Sequence, residues 1–134
     1  MMDQLRQNLR AWYDFVESED EKALSNMLAD DVVFHSPVVH TPQEGKAITF
    51  MYLAAAGKVL GHDDFCYVGE YLTERGAVLE FNTQIDGIKI DGIDMITWNE
   101  DGKISEFKVM IRPLKAVNKV HEMMKAMLEK AMAG

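Results

Sequence analysis

Gly92-Ile-Asp-Met-Ile-Thr-Trp-Asn-Glu-Asp-Gly-Lys-Ile-Ser-Glu-Phe-Lys-Val-Met110 reads as two β-strands joined by an Asn-Glu-Asp-Gly turn, because β-branched and aromatic residues flank residue types that favour tight reversal. Strand side chains alternate between two faces, so Ile88, Ile90, Asp94, Ile96 and Trp98 share one side of the first strand. That side is apolar except for Asp94. A carboxylate there has to be hydrogen-bonded, paired or neutral, which makes Asp94 the clearest pointer to chemistry in the chain.

Working outward, Phe65 to Leu72 and Ala77 to Ile85 read as two further strands before it, and Ile104 to Ile111 as the strand after it. Turns fall at Glu74-Arg75-Gly76, Asp86-Gly87 and Asp101-Gly102. Upstream the period changes. Leu5, Leu9, Trp12 and Val16 recur at helical spacing, which predicts an amphipathic helix over roughly residues 3–17 with Trp12 on its buried face. Ser18-Glu19-Asp20-Glu21 has capping-box spacing and predicts a short second helix ending near Ala29, where Asp30-Asp31 breaks it. Val32 to Ser36 reads as a short strand stopped by Pro37. Thr41-Pro42-Gln43-Glu44 supplies cap, proline and glutamate for a third helix running to about Leu60, with Ile48, Met51, Tyr52, Ala55 and Val59 on one face and Gly61 as terminator. Arg112-Pro113 ends the last strand and opens a final helix with an apolar stripe of Leu114, Val117, His121, Met124, Leu128 and Ala131. The expected architecture is α+β, a curved antiparallel sheet wrapped around N-terminal helices, with an added C-terminal helix over 113–132.

The 134 residues are 48% apolar and 27% charged, which fits one globular domain over 1–134 with a core of its own. A net charge of −8, from 14 basic and 22 acidic side chains, repels a phosphate backbone or an anionic membrane, so neither nucleic acid nor membrane is an expected partner. Met1 to Arg10 has no hydrophobic signal core and no apolar run approaches membrane-spanning length, so a cytoplasmic protein is expected. Cys66, the single cysteine, sits in Phe65-Cys66-Tyr67-Val68 and is expected as a small buried hydrophobe.

The order of elements, with Ala29-Asp30-Asp31-Val32-Val33-Phe34-His35-Ser36-Pro37 leading to Glu44-Gly45-Lys46 and then Asp101-Gly102-Lys103-Ile104, resembles the nuclear transport factor 2-like superfamily. That group includes SnoaL-like polyketide cyclases, ketosteroid isomerases and limonene epoxide hydrolases. The resemblance covers residues 1–112 and implies a cone enclosing an apolar cavity, cofactor-independent chemistry, and a homodimer through the outer sheet face. Against the ketosteroid isomerases it puts Ser36 where those enzymes have a base aspartate, Trp12 where they have a tyrosine, and Asp94 where they have a protonated aspartate. One of three positions is kept. The hydrolase pattern of an arginine between two acids has no match, since Arg112 points to the outer face if Phe107, Val109 and Ile111 point inward.

Asp94 is therefore the candidate catalytic group, able to serve as acid, base or neutral hydrogen-bond donor because an apolar cavity raises a carboxyl pKa. The other reading is a structural carboxylate bonded to Trp12, to a tyrosine or to water. Trp12, Phe34, Phe81, Trp98, Phe107 and Val109 are expected to line the cavity, with the Ser36 hydroxyl near its mouth. By alternation His35 faces outward, which also separates it from Ser36 as a catalytic pair. His40 lies beyond Pro37, His62 after the third helix and His121 on the last helix. The four histidines have no metal-ligand spacing, and no metal or cofactor is expected. Met123, Met124, Met127 and Met132 at helical spacing read as core or dimer packing, with a ligand lid as the other possibility. Two functions stay open: cyclase, isomerase or hydratase chemistry on a small apolar organic molecule through Asp94, or a non-catalytic binding or interaction domain of the same fold.

Overall fold

The computed structural model of the chain describes residues 2–61 and 64–133; His62 and the Met132 side chain, both named above, lie outside the described residues. The described elements are α1 (Met2–Ser18), α2 (Glu21–Met27), β1 (Leu28–His35), β2 (Gln43–Glu44), α3 (Lys46–Leu60), β3 (Cys66–Leu72), β4 (Gly76–Ile85), β5 (Ile88–Trp98), β6 (Ile104–Arg112) and α4 (Leu114–Ala133). Six strands in the order β2-β1-β6-β5-β4-β3 form one curved, unclosed sheet, and the helices cover its inner face to make an α+β cone.

The β3 to β6 meander is antiparallel throughout. It follows from the turns: Ile85 pairs with Ile88 across Asp86 and Gly87, whose φ angles of 51° and 79° are what a two-residue hairpin needs. At the next turn Asn99 Oδ1 accepts from the N–H groups of Asp101 and Lys103 at 2.9 and 3.0 Å, while Gly102 takes φ 74°. The sheet departs from the expected all-antiparallel arrangement at one seam, where β1 pairs parallel with β6.

Leu5, Leu9, Trp12 and Phe15 form the buried stripe of α1, with Val16 beside it. Four local expectations are corrected. Asp20, not Ser18, caps α2, its side chain accepting from Lys22 N–H at 3.0 Å, and Ser18 Oγ instead accepts from Asp20 N–H at 3.2 Å. The helix stops at Met27, and Leu28 to Asp31 already belong to β1. Asp30 and Asp31 do not break the chain, because a register shift against β6 between Leu28 and Val33 leaves both carboxylates in solvent. Gln43 and Glu44 pair with Phe34 and Val33 as a short strand, so α3 starts only after Gly45, which has no side-chain cap.

The two later helices also turn differently from their expected faces. On α3 the buried residues are Thr49, Leu53, Ala55, Val59 and Leu60. On α4 they are Ala116, Val120 and Met124, with Met123, Met127 and Leu128 half-buried against the core. Leu114, at 73% exposure, and His121 lie in solvent. The C-terminal helix is apolar on two adjacent stripes, and its docking against α3, β5 and β6 chooses between them. Lys119 Nζ fixes that choice with an ion pair to Asp86 Oδ2 at 2.7 Å, tying α4 to the β4–β5 hairpin. Among the described residues no helix is long and apolar enough to cross a membrane.

Candidate functional site

A cavity of about 100 Å³ lies between the inner face of the sheet and α1, α3 and α4. Its walls are largely aromatic because inward positions of β1, β3, β4 and β6 carry Phe34, Tyr67, Phe81 and Phe107, with Phe65 just before β3. The rings lock one another. Trp12 and Phe107 have centroids 5.0 Å apart, and Phe65 stacks on Phe81 at 5.2 Å with planes 25° apart. Gly92 makes room for that stack, since a Cβ there would stand 2.5 Å from Phe81 Cζ and 2.8 Å from Met110 O.

Asp94 lies two residues further along the same face and is 7% exposed. Tyr67 Oη donates to its Oδ2 at 2.6 Å, and Trp12 Nε1 donates to Tyr67 Oη at 3.0 Å. Burial disfavours the charged carboxylate and pushes Asp94 up to about 7, while the Tyr67 hydrogen bond holds it back. The Tyr67 hydroxyl is driven well above the ordinary tyrosine range, first by burial and then by the charge of Asp94. At neutral pH the cavity wall thus holds a carboxyl group near its titration midpoint beside a tyrosine that stays protonated.

The expected lining residues Trp12, Phe34, Ser36, Phe81, Phe107 and Val109 meet in this one cavity with Asp94. Trp98 does not join them. It is buried at 4% exposure beyond the cavity's end, where its backbone N–H bonds Arg75 O at 3.0 Å. Ser36 Oγ accepts from Val38 N–H at 3.2 Å in a tight bend at the cavity's rim. His35 faces outward and bonds Glu106 Oε2 at 2.8 Å, and Arg112 bonds Asp91 Oδ2 at 3.2 Å on the outer face. Among the described residues no three His, Cys, Asp or Glu side chains gather as a metal site would require.

Cys66 corrects the expectation of a buried thiol, for it is exposed. The run Phe65-Cys66-Tyr67-Val68 is apolar on both parities, so its phase is ambiguous until the sheet assigns one face to the cavity. The aromatic pair Phe65 and Tyr67 was the signal available, as both rings are large and share a parity. Among the lining residues that escaped the sequence reading, the titratable ones are Tyr67 and Glu19, the latter at the rim just past the end of α1 in a left-handed conformation with φ 58°.

A family model described as a SnoaL-like domain matches residues 9–107. The chain belongs to the SnoaL-like domain family. Among solved structures, this SnoaL-like chain is similar to a steroid delta-isomerase from Pseudomonas aeruginosa, with 31% identity and a TM-score of 0.91 over 98% of this chain and 96% of that one. It is also similar to an uncharacterized protein with a cystatin-like fold from Silicibacter pomeroyi, with 28% identity and a TM-score of 0.81 over 89% and 83% of the two chains. An NTF2-like protein of unknown function from Mesorhizobium loti shares the fold alone, at 17% identity and a TM-score of 0.70 over 83% and 93%. A comparison with curated proteins returns no match.

Proposed function

We propose that this SnoaL-like protein binds a small, largely apolar organic molecule bearing one carbonyl group and moves a proton on it, in an isomerase-like reaction that needs no cofactor. The observation that carries the reading is Asp94, a carboxyl pushed to about 7 on the wall of an aromatic cavity and bonded to Tyr67. As carboxylate, Asp94 takes a proton from the carbon next to the carbonyl, and the electron pair moves onto the carbonyl oxygen as an enolate. The neutral carboxyl then returns that proton at another carbon of the conjugated system. Ser36 supplies the complementary donor, for its lone pair already meets Val38 N–H and its own hydroxyl proton is free for the ligand oxygen. Trp12, Phe34, Phe81, Phe107 and Val109 are assigned to ligand contact.

The similarity to a steroid delta-isomerase supports the reaction class. The volume of about 100 Å³ argues for a more compact substrate than a four-ring steroid, since ordinary ligand pockets start near ~300 Å³. That small volume equally favours the second reading, a binding domain in which Asp94 is structural. Conversion of 3-cyclohexenone to its conjugated isomer, followed by absorbance against pH, separates the two: turnover that rises with a midpoint near 7 and vanishes in Asp94→Asn supports catalysis. Equal rates in both proteins would remove Asp94 from the chemistry.

A homodimer through the outer sheet face belongs to the same proposal. Val68 and Tyr71 on β3 and Met110 on β6 are 50%, 62% and 49% exposed on that face, and they are the apolar side chains such a contact would cover.

A further inference from the structure

We propose that Trp12 is a positioning residue: its indole N–H fixes the direction of the Trp12–Tyr67–Asp94 hydrogen-bond chain and thereby keeps the Asp94 proton on the oxygen that faces the cavity. An indole N–H can only donate, so the 3.0 Å contact makes Tyr67 Oη an acceptor at that end. The phenol has a single proton, and among the described residues Asp94 Oδ2, at 2.6 Å, is its one hydrogen-bond acceptor. The neighbouring Tyr13 hydroxyl is turned away and donates to Glu70 Oε2 at 2.7 Å.

Suppose the neutral carboxyl carried its proton on Oδ2. Tyr67 would then face a hydroxyl oxygen, a weaker acceptor than a carbonyl, and with that proton aimed at Tyr67 Oη the phenol proton would be left among the Phe65, Phe81 and Tyr13 rings. The chain avoids that state by placing the carboxyl proton on Oδ1. This second oxygen has no partner among the described residues, yet it is not among the sealed-off polar atoms, which are the hydroxyls of Thr49 and Thr83. Asp94 lines the cavity, and with Oδ2 taken by Tyr67 it is Oδ1 that is left to face it. No charged side chain from α1, β3, β4 or β6 bonds Asp94; Tyr67 is the titratable group in contact with it, with Tyr13 behind Tyr67 and Glu19 at the rim.

The consequence rests on the proton chemistry proposed above. A proton taken from a ligand stays where it can be handed back and is not passed along the chain toward Tyr67 and Trp12. The protonated carboxyl therefore faces the ligand carbon that takes the proton back, and the ligand's carbonyl oxygen is left to the Ser36 hydroxyl.

The test reads the infrared C=O stretch of neutral Asp94 at pH 5, identified as the band absent from Asp94→Asn. With the proton on Oδ1, the C=O oxygen is Oδ2, which accepts from Tyr67, so the band lies at a hydrogen-bonded position. Tyr67→Phe is expected to shift it up to the position of a free carbonyl. Replacing Trp12 with benzothienylalanine keeps the bicyclic outline without the N–H, and is expected to broaden or split the band upward as the proton spreads over both oxygens. A band that stays put in the benzothienylalanine protein, with circular dichroism unchanged, overturns the role of Trp12; so does a wild-type band already at the free position. Turnover of 3-cyclohexenone is measured on the same samples, so loss of the catalytic reading and loss of the proton placement are seen separately.

Discussion

Tyr67 Oη stands 2.6 Å from Asp94 Oδ2, and these two residues approach from strands that are not neighbours, β3 and β5, across the inward curve of β4. The contact spans the concave face of the sheet, so it reports both the curvature of the cone and the ionisation of a buried carboxyl.

Replacing Asp94 with Asn should stabilise the protein at high pH more than at low pH. The folded pKa of about 7 exceeds the ordinary aspartate value of 3.8, so the folded state binds the extra proton between them and stability falls as pH rises through that window. Between pH 5 and pH 8.5 the wild type should lose about 3 kcal/mol that Asp94→Asn keeps. Urea unfolding at the two pH values measures the difference, and parallel losses in both proteins would contradict a raised Asp94.

Removing the Tyr67 hydroxyl should move Asp94 further in the same direction. The hydrogen bond is the influence that lowers its pKa, and a bond to a charged group is worth about 1.5–3 kcal/mol, so Tyr67→Phe should raise the titration midpoint by about one to two units. Carbon-13 labelling of the Asp94 carboxyl follows it directly.

Gly92→Ala should disturb the site without touching a polar group. Its Cβ would collide with Phe81 and with the Met110 carbonyl, so we expect about 1–3 kcal/mol of destabilisation and a displaced Phe81–Phe65 stack. Thermal unfolding and the ring-proton shifts of Phe81 test this, and a variant with wild-type stability and shifts would mean that the strand pair relaxes at little cost.

Filling the cavity from α3 should block ligands while sparing the fold. Ala56 lines it, and Ala56→Phe places a ring in space that is empty. Binding of 2-cyclohexenone should drop at least tenfold, at a stability cost of no more than about 1–3 kcal/mol. Calorimetric titration showing undiminished binding would place the ligand elsewhere.

Met110→Lys puts a charge on the outer sheet face, where Met110 stands across β5 and β6 from Ile93. If that face joins two copies, sedimentation should show a dimer in the wild type and a monomer in the variant, at unchanged helical content. A wild-type protein that sediments as a monomer ends the dimer proposal.

Legibility in the sequence followed the strength of local signals. The β4, β5 and β6 strands alternate cleanly, and their Gly-containing turns fix the register, so the inward set with Asp94 among the apolar residues was readable. Where both parities are apolar, as at Phe65 to Val68 and along α4, periodicity has no preferred phase, and tertiary docking supplied it. Cap signals misled where two competed: Asp20 stood two residues beyond Ser18, and the Thr41 to Glu44 motif was drawn into pairing with β1. The Tyr67–Asp94 bond joins residues 27 apart, and nothing local to either names the other.

The parallel seam between β1 and β6 has a kinetic meaning. Phe34 and its sheet partner Phe107 are separated by most of the chain, so neither wall of the cone closes until residues from both ends have met. Contacts of such long range slow folding, and during synthesis β1, paired on one edge with β2, keeps its other edge open until the last strand emerges. The β3 to β6 meander needs only near neighbours and is the natural nucleus. On this order of events the cavity is the last part of the molecule to come into being.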